Sequence, residues 1–330
     1  MSETKPKSFG VKLKQFIKSA GIITLILIAL FIFFTFMSKK FLTPNNMYNL
    51  TRAASIQGIA ALGMSICIYV GGIDLTIGSM IGVVTMIIAG LTTTVSGPAI
   101  IEFWPLTLPI VLVFGIGIGI LSGILINDGG MPPYIVTLSW QMILRAMCQL
   151  ISNGNVLEKI SEGYKTLATS ATDIFGIPLM AFVWAVLIVF TWIMLNHMRV
   201  GRNIYAVGAN AETARLSGIS LRRTRCFAWG YSAFLSVVAG ILMGARIRSG
   251  MPQTATGYEA DCIASSVIGG ASFSGGEGSV VGTTIGVLIL QTLRNGANLL
   301  GWNTFIIEMV IGALIVISVL IDGKGKRRES

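Results

Sequence analysis

Apolar runs of bilayer length recur almost from one end of this 330-residue chain to the other, and no feature constrains its fold more. "GIITLILIALFIFFTFM" (21–37) has no charged residue. A hydrocarbon core about 30 Å thick is crossed by roughly 20 such residues in a helix, and helices of this kind satisfy their own backbone groups. The residues are 53% hydrophobic and only 12% charged, too apolar for an ordinary soluble domain. The pattern predicts an all-α, polytopic membrane protein with about ten transmembrane helices, some of them broken. They fall near 20–37, 53–70, 76–94, 105–125, 132–151, 178–196, 225–245, 258–270, 278–297 and 303–321.

The basic residues orient this scheme. With the amino terminus inside, fifteen of the 24 Lys and Arg fall on inside segments: the five lysines of residues 1–19, five arginines of the loop 197–224 with Arg225 at its edge, and four residues of the tail 322–330. Both termini are therefore expected in the cytoplasm. Lys39 and Lys40 lie on the other side, where their stems reach the interface. The first apolar run is too long for a cleaved signal of roughly 7–15 apolar residues, so it reads as an anchor. The net charge of +10 reads as topology and attraction to anionic membrane lipid, and no basic stripe with exposed aromatics points to nucleic acid.

The search for chemistry mostly excludes. "GGASFSGGEGS" (269–279) is glycine-rich, but a phosphate-binding loop needs a lysine, and none occurs between Lys165 and Lys324. One histidine, His197, cannot supply a nucleophilic triad. Cys67, Cys148, Cys226 and Cys262 are scattered singly and read as small buried hydrophobes. No cofactor and no catalytic residue is expected. Arg145, Arg246, Arg248 and Arg294 sit near span ends and are expected to snorkel, and "PPY" (132–134) reads as a helix start.

"GGIDLT" (71–76) places Asp74 between two apolar spans, where a carboxylate must be capped, paired or solvated. Capping the third span is the favoured role; a proton relay, with Glu308 as the other intramembrane carboxylate, is the alternative. "YVGGIDLTIG" (69–78) and "VIGGASFSGGEGSVVG" (267–282) share Gly-Gly, a carboxylate and a closing glycine. That similarity suits a duplicated transporter architecture, with chance among so many glycines as the competitor.

A polar island interrupts the apolar chain at "VGANAETARLSGIS" (207–220). Asn210 is a good N-cap, Glu212 lies in the first turn with Arg215 three residues on, and Gly218 can end the helix. Ala211, Ala214 and Gly218 would form a face of small side chains for a partner's groove, with Leu216 and Ile219 as anchors. About eight helical residues are marginal alone in water, so order is expected to depend on docking; an ordinary solvated loop is the other reading.

"GRNIYAVGANAETARLSGI" resembles the cytoplasmic coupling segment of sugar-type ABC importer permeases of the ribose, galactose and xylose group. "GGIDLTIGSMIG" (71–82), "MPPYIVTL" (131–138), "SSVIGGASFSGGEGSVVGTTIGVLIL" (265–290) and "LRNGANLLG" (293–301) are similar to that family's segments in the same order. The resemblance implies a single permease domain over 20–321 in a bacterial inner membrane. Its implied partners are a second permease copy or related permease, a cytoplasmic ABC ATPase that binds the ATP and Mg, and a periplasmic or lipid-anchored sugar-binding protein. Ala211, Glu212, Ala214, Arg215, Leu216, Ser217, Gly218 and Ile219 would form the helix the ATPase grips. Gly71, Gly72, Asp74, Gly269, Gly270, Gly275 and Gly276 would be pathway or gate elements. Arg294 departs from what ribose permeases lead one to expect. An ion-gradient-driven transporter of a small polar solute is the alternative function.

Overall fold

A computed structural model describes residues 9–93, 99–169, 172–174 and 176–327, with side chains for residue 21 and for residues 23–316 where the backbone is described. Lys5, Lys7 and Arg328, part of the basic termini, lie outside the described residues. Each expected span coincides with a helix. These are α1 (Phe9–Met37), α2 (Pro44–Tyr69), α3 (Ile77–Thr92), α4 (Thr107–Asn127), α5 (Pro133–Ser152), then α7 (Leu179–His197), α10 (Leu221–Ile247), α11 (Tyr258–Ile268), α12 (Val280–Leu299) and α13 (Thr304–Arg327). Three short helices complete the set: α6 (Glu162–Lys165), α8 (Arg199–Ala209) and α9 (Ala211–Leu216).

Among the described residues, five helical segments are long and apolar enough to cross a membrane: α2, Trp104–Asn127 (which contains α4), α5, α7 and α10. The expectation for 258–270 needs revising, since α11 has 11 residues and reaches only about 17 Å at 1.5 Å per residue. That is roughly half the thickness of a hydrocarbon core.

Successive long helices alternate in direction. At one end of the bundle lie the connectors 70–76, 128–132, 198–220 and 269–279; at the far end lie 38–43, 99–106, 153–169, 248–257 and 300–303. Phe34, near the end of α1, packs with Leu293, Ala297 and Ile307 at the far end, so both terminal helices run back toward the end that carries 198–220.

α2 is the central column. Every side chain from Ala54 to Tyr69 is buried, which requires neighbours on all sides. Lipid tails are as apolar as leucine, so such packing depends on close van der Waals fit. Gly115, Gly119 and Gly123 recur every four residues along α4 and face α10. A Cβ at Gly119 would lie 2.9 Å from Gly230 Cα, and one at Gly123 would lie 2.8 Å from the Cys226 nitrogen. α11 and α12 approach as closely, with Gly269 against Gly282 and Gly286 against Ser265.

The sequence-expected helix start at "PPY" is present, with Pro132 as N-cap and Pro133 opening α5. The four cysteines are free, three buried and Cys226 half-buried. The arginines are a correction. Arg145 donates to the carbonyls of Pro252 and Thr254 at 2.9 Å each, Arg294 pairs with Asp261 at 2.7 Å, and Arg246 is half-buried between helices. Of the four, only Arg248 is largely exposed, in the left-handed cap of α10 at φ 57°. Carbonyls freed by irregular backbone and a carboxylate on α11 hold the first two inward more strongly than snorkelling draws them out.

Candidate functional site

The polar island folds into two helices. α8 is amphipathic and buries Gly201, Ile204 and Val207 at helical spacing. Asn210 interrupts it in an extended conformation, and its side chain accepts the Thr213 N–H at 2.9 Å, which starts α9. Within α9 the Glu212 carboxylate takes two bonds from the Arg215 guanidinium, at 2.6 and 3.1 Å. That bonding holds the Glu212 carboxyl below the usual carboxylate range and raises Arg215. Gly218, at φ +81°, lets the Ile219 N–H turn back to the Ala214 carbonyl at 3.0 Å, a left-handed cap that a Cβ would strain.

The expected face of small side chains is not what α9 presents. Ala214 is 4% exposed and Ile219 half-buried, both packed against the chain's own core, whereas Leu216 is 74% exposed. The outward surface therefore consists of Glu212, Thr213, Arg215, Leu216, Ser217 and Gly218. A six-residue helix cannot hold itself in water, and its order comes from burying Ala214 and Ile219 on its own body.

The end of α8 meets both glycine-rich connectors. Gly208 lies so close to the Tyr69 carbonyl that a Cβ would overlap the oxygen and stand 2.6 Å from the Gly276 nitrogen. The Gly276 N–H in turn donates to the Tyr69 carbonyl at 2.9 Å. Gly275 and Gly276 take φ near +80° and +75°, and a Cβ at Gly275 would lie 3.0 Å from Gly71 Cα and 2.8 Å from Gly208 O. Two aromatic rings close the joint: Tyr205 of α8 stacks on Tyr69 with centroids 5.4 Å apart and donates its hydroxyl to the Gly278 carbonyl at 3.2 Å. The Tyr69 hydroxyl bonds Thr283 at the start of α12, 3.2 Å away.

Gly71, Gly275 and Gly276 thus come together, but the other expected elements do not join them. Gly72 packs under the Trp229 ring of α10, and Gly269 and Gly270 form the turn that ends α11. Asp74 is 1% exposed and sits deeper. Its Oδ1 accepts from the Thr76 N–H at 3.0 Å and the Thr76 hydroxyl at 2.5 Å, and its Oδ2 accepts from Ser232 of α10 at 2.7 Å. The residue at the N-cap of α3 is Thr76, so Asp74 acts two residues earlier than a formal cap and ties the connector to α10. Glu308 is exposed in the second turn of α13 rather than mid-span, because that helix begins at Thr304.

Comparison with known proteins decides between the two transport readings. The family model described as "Branched-chain amino acid transport system / permease component" matches residues 46–319. The chain belongs to this permease family. The permease is 35% identical to the ribose import permease of Bacillus subtilis (strain 168), over 90% of this chain and 91% of that one. It is 32% identical to the D-allose transport system permease of Escherichia coli (strain K12), over 97% and 95%. It is 29% identical to the galactose/methyl galactoside import permease of the same organism, over 98% of both. No solved structure matches the permease. It is a multi-pass membrane subunit of an ABC importer, and the ion-gradient alternative is set aside.

Sequence reasoning missed Tyr69, Tyr205 and Gly208 of this permease. The signal was present in "GRNIYAVGAN" (201–210), where Gly201, Ile204, Tyr205 and Gly208 follow the i, i+3, i+4, i+7 spacing of one helix face.

Proposed function

We propose that the permease translocates a monosaccharide, and that a separate cytoplasmic ATPase drives it by gripping α9. The end that carries 198–220, with both chain termini, faces the cytoplasm. A second permease copy or related permease completes the pathway, and an extracytoplasmic binding protein delivers the sugar at the far end. This chain holds no nucleotide; ATP and Mg belong to the partner ATPase. The substrate class rests on similarity to permeases named for ribose, allose and galactose.

One observation carries the mechanism. α9 continues without slack from α8, and Gly208 at the end of α8 is wedged against Tyr69, Gly71, Gly275 and Gly276. Closure of the ATPase on the exposed face of α9 displaces α8 as a lever, and the connectors between α2 and α3 and between α11 and α12 must move with it. Backbone packed at these distances slides or separates but does not compress, so a displacement is passed on to four membrane helices. Alternating access follows when those helices exchange between two packings.

Leu216→Asp tests the reading. The side chain is 74% exposed, so the permease folds and elutes unchanged from size-exclusion chromatography in detergent. An ATPase subunit that copurifies with the natural chain is expected to be lost from the variant. Retention of the ATPase by Leu216→Asp refutes the assignment of α9, and failure of any ATPase to associate with the natural chain refutes the driving partner.

A further inference from the structure

At the far end of the bundle, α2, α10, α11 and α12 enclose a half-open cavity of about 310 Å³. Its lining is polar although the helices are apolar. Asp261 and Gln291, 7% and 8% exposed, form the floor; Arg246, Tyr258 and Arg294 form the sides, and Asn298 stands exposed at the mouth. These groups are incompletely paired. Asp261 Oδ1 accepts from Arg294, which leaves Oδ2, and the Arg294 Nε is buried without a partner. Gln291 donates to Gln57 and keeps its own carbonyl oxygen.

Unpaired buried donors and acceptors are costly, and polar side chains inside a membrane bundle mark a place where something else pairs them. We propose that this cavity receives the monosaccharide on the extracytoplasmic side, as a subsite for the hydroxyl-rich ring within the permease itself. Each hydroxyl both donates and accepts. One ring can therefore donate to Asp261 Oδ2 and Gln291 Oε1 while accepting from the Arg246 guanidinium and the Tyr258 hydroxyl. A branched-chain amino acid fits worse. Its ammonium needs a carboxylate not already paired to an arginine, and its side chain needs more apolar wall than Leu50 and Ala53 supply. The volume, about 300 Å³, is that of a small-molecule pocket at the lower limit.

The proposal rests on the sugar-importer reading, and its test separates the two. Cys226 is replaced by serine to remove the half-buried thiol, Asn298→Cys is introduced at the mouth, and the complete importer is reconstituted in vesicles. A membrane-impermeant maleimide then labels from the extracytoplasmic side, with D-ribose, D-allose, D-galactose or L-leucine present. One of the three sugars is expected to slow labelling about tenfold at roughly ten times its Kd, as the free fraction falls, and leucine is not. Asp261→Asn, referred to its own labelling rate without sugar, is expected to raise the half-protecting concentration on the order of tenfold or more. Protection by leucine, by none of the sugars, or equally in Asp261→Asn overturns the proposal. If the ATPase still copurifies and is lost with Leu216→Asp, the importer reading survives that result.

Discussion

Adding one methyl group at Gly208 would test whether α8 is the lever. An alanine Cβ there overlaps the Tyr69 carbonyl oxygen and comes within 2.6 Å of the Gly276 nitrogen and 2.9 Å of the Tyr69 carbonyl carbon. All three are backbone atoms, so no side chain can rotate away, and α8 must lift from the connectors. Where the added methyl intrudes on the 2.9 Å bond from Gly276 to Tyr69, its loss costs about 0.5–1.5 kcal/mol, and the overpacking costs roughly 1–3 kcal/mol. Alanine regains about 0.8–1 kcal/mol as the better helix former. The net is a destabilisation of roughly 0.5–3.5 kcal/mol by these terms. Tm of the detergent-purified permease should fall by a few degrees, while the exposed face of α9 and ATPase association are kept. In proteoliposomes, sugar uptake should drop far more than ATP hydrolysis, because the lever no longer bears on the connectors. Gly117→Ala is the control, since nothing lies within 4 Å of an added Cβ, and it should match or slightly exceed the parent in stability. Equal Tm and equal uptake for Gly208→Ala and Gly117→Ala would refute both the crowding and the lever.

Asp74→Ala leaves the Thr76 N–H and the Ser232 hydroxyl buried without an acceptor, an expected loss of about 1–3 kcal/mol for each; Asp74→Asn, which keeps an acceptor oxygen, should retain most of the Tm and uptake with an unchanged pH profile, whereas abolished uptake at full stability would restore a proton-relay role. Because Arg215 depresses the Glu212 pKa, this pair stabilises α9 fully above the ordinary glutamate value of about 4.3 and loses its effect only as pH falls through the lower folded value. Hydrogen exchange in 211–216 should therefore be governed by the same opening equilibrium at pH 7 and pH 5, and a rise in opening by pH 5 would contradict the pairing. Gly119→Leu drives a side chain into Trp229 O and Gly230 Cα of α10, and should reduce the folded, monodisperse fraction in detergent sharply; normal yield and Tm would show that the α4 and α10 backbones are not in close contact.

Much of this arrangement was legible along the chain. The apolar runs, the Asn210 cap, the Glu212–Arg215 pair and the Gly218 stop depend on neighbours within a turn or two, and each reappears in its expected place. The face of α9 was misassigned, because spacing shows which residues share a side of a helix but not which side the protein itself covers. Ala214 and Ile219 went inward and Leu216 outward. The arginines at span ends were misread for a related reason: Arg145 finds its carbonyls at Pro252 and Thr254, more than a hundred residues away.

The sequence by itself determined the membrane environment, the positions of the helices, the polar island and the glycines that punctuate the connectors. All of these follow from local hydropathy, capping and backbone freedom. Only the tertiary structure decided that Gly71, Gly208, Gly275 and Gly276 form one joint, that Asp74 is held by Ser232, and that Asp261, Gln291 and Arg294 line one cavity. Contacts between residues from 33 positions apart, as for Asp261 and Arg294, to 204, as for Gly71 and Gly275, depend on which helix faces meet, and that is set by the close packing of the whole bundle rather than by any local stretch.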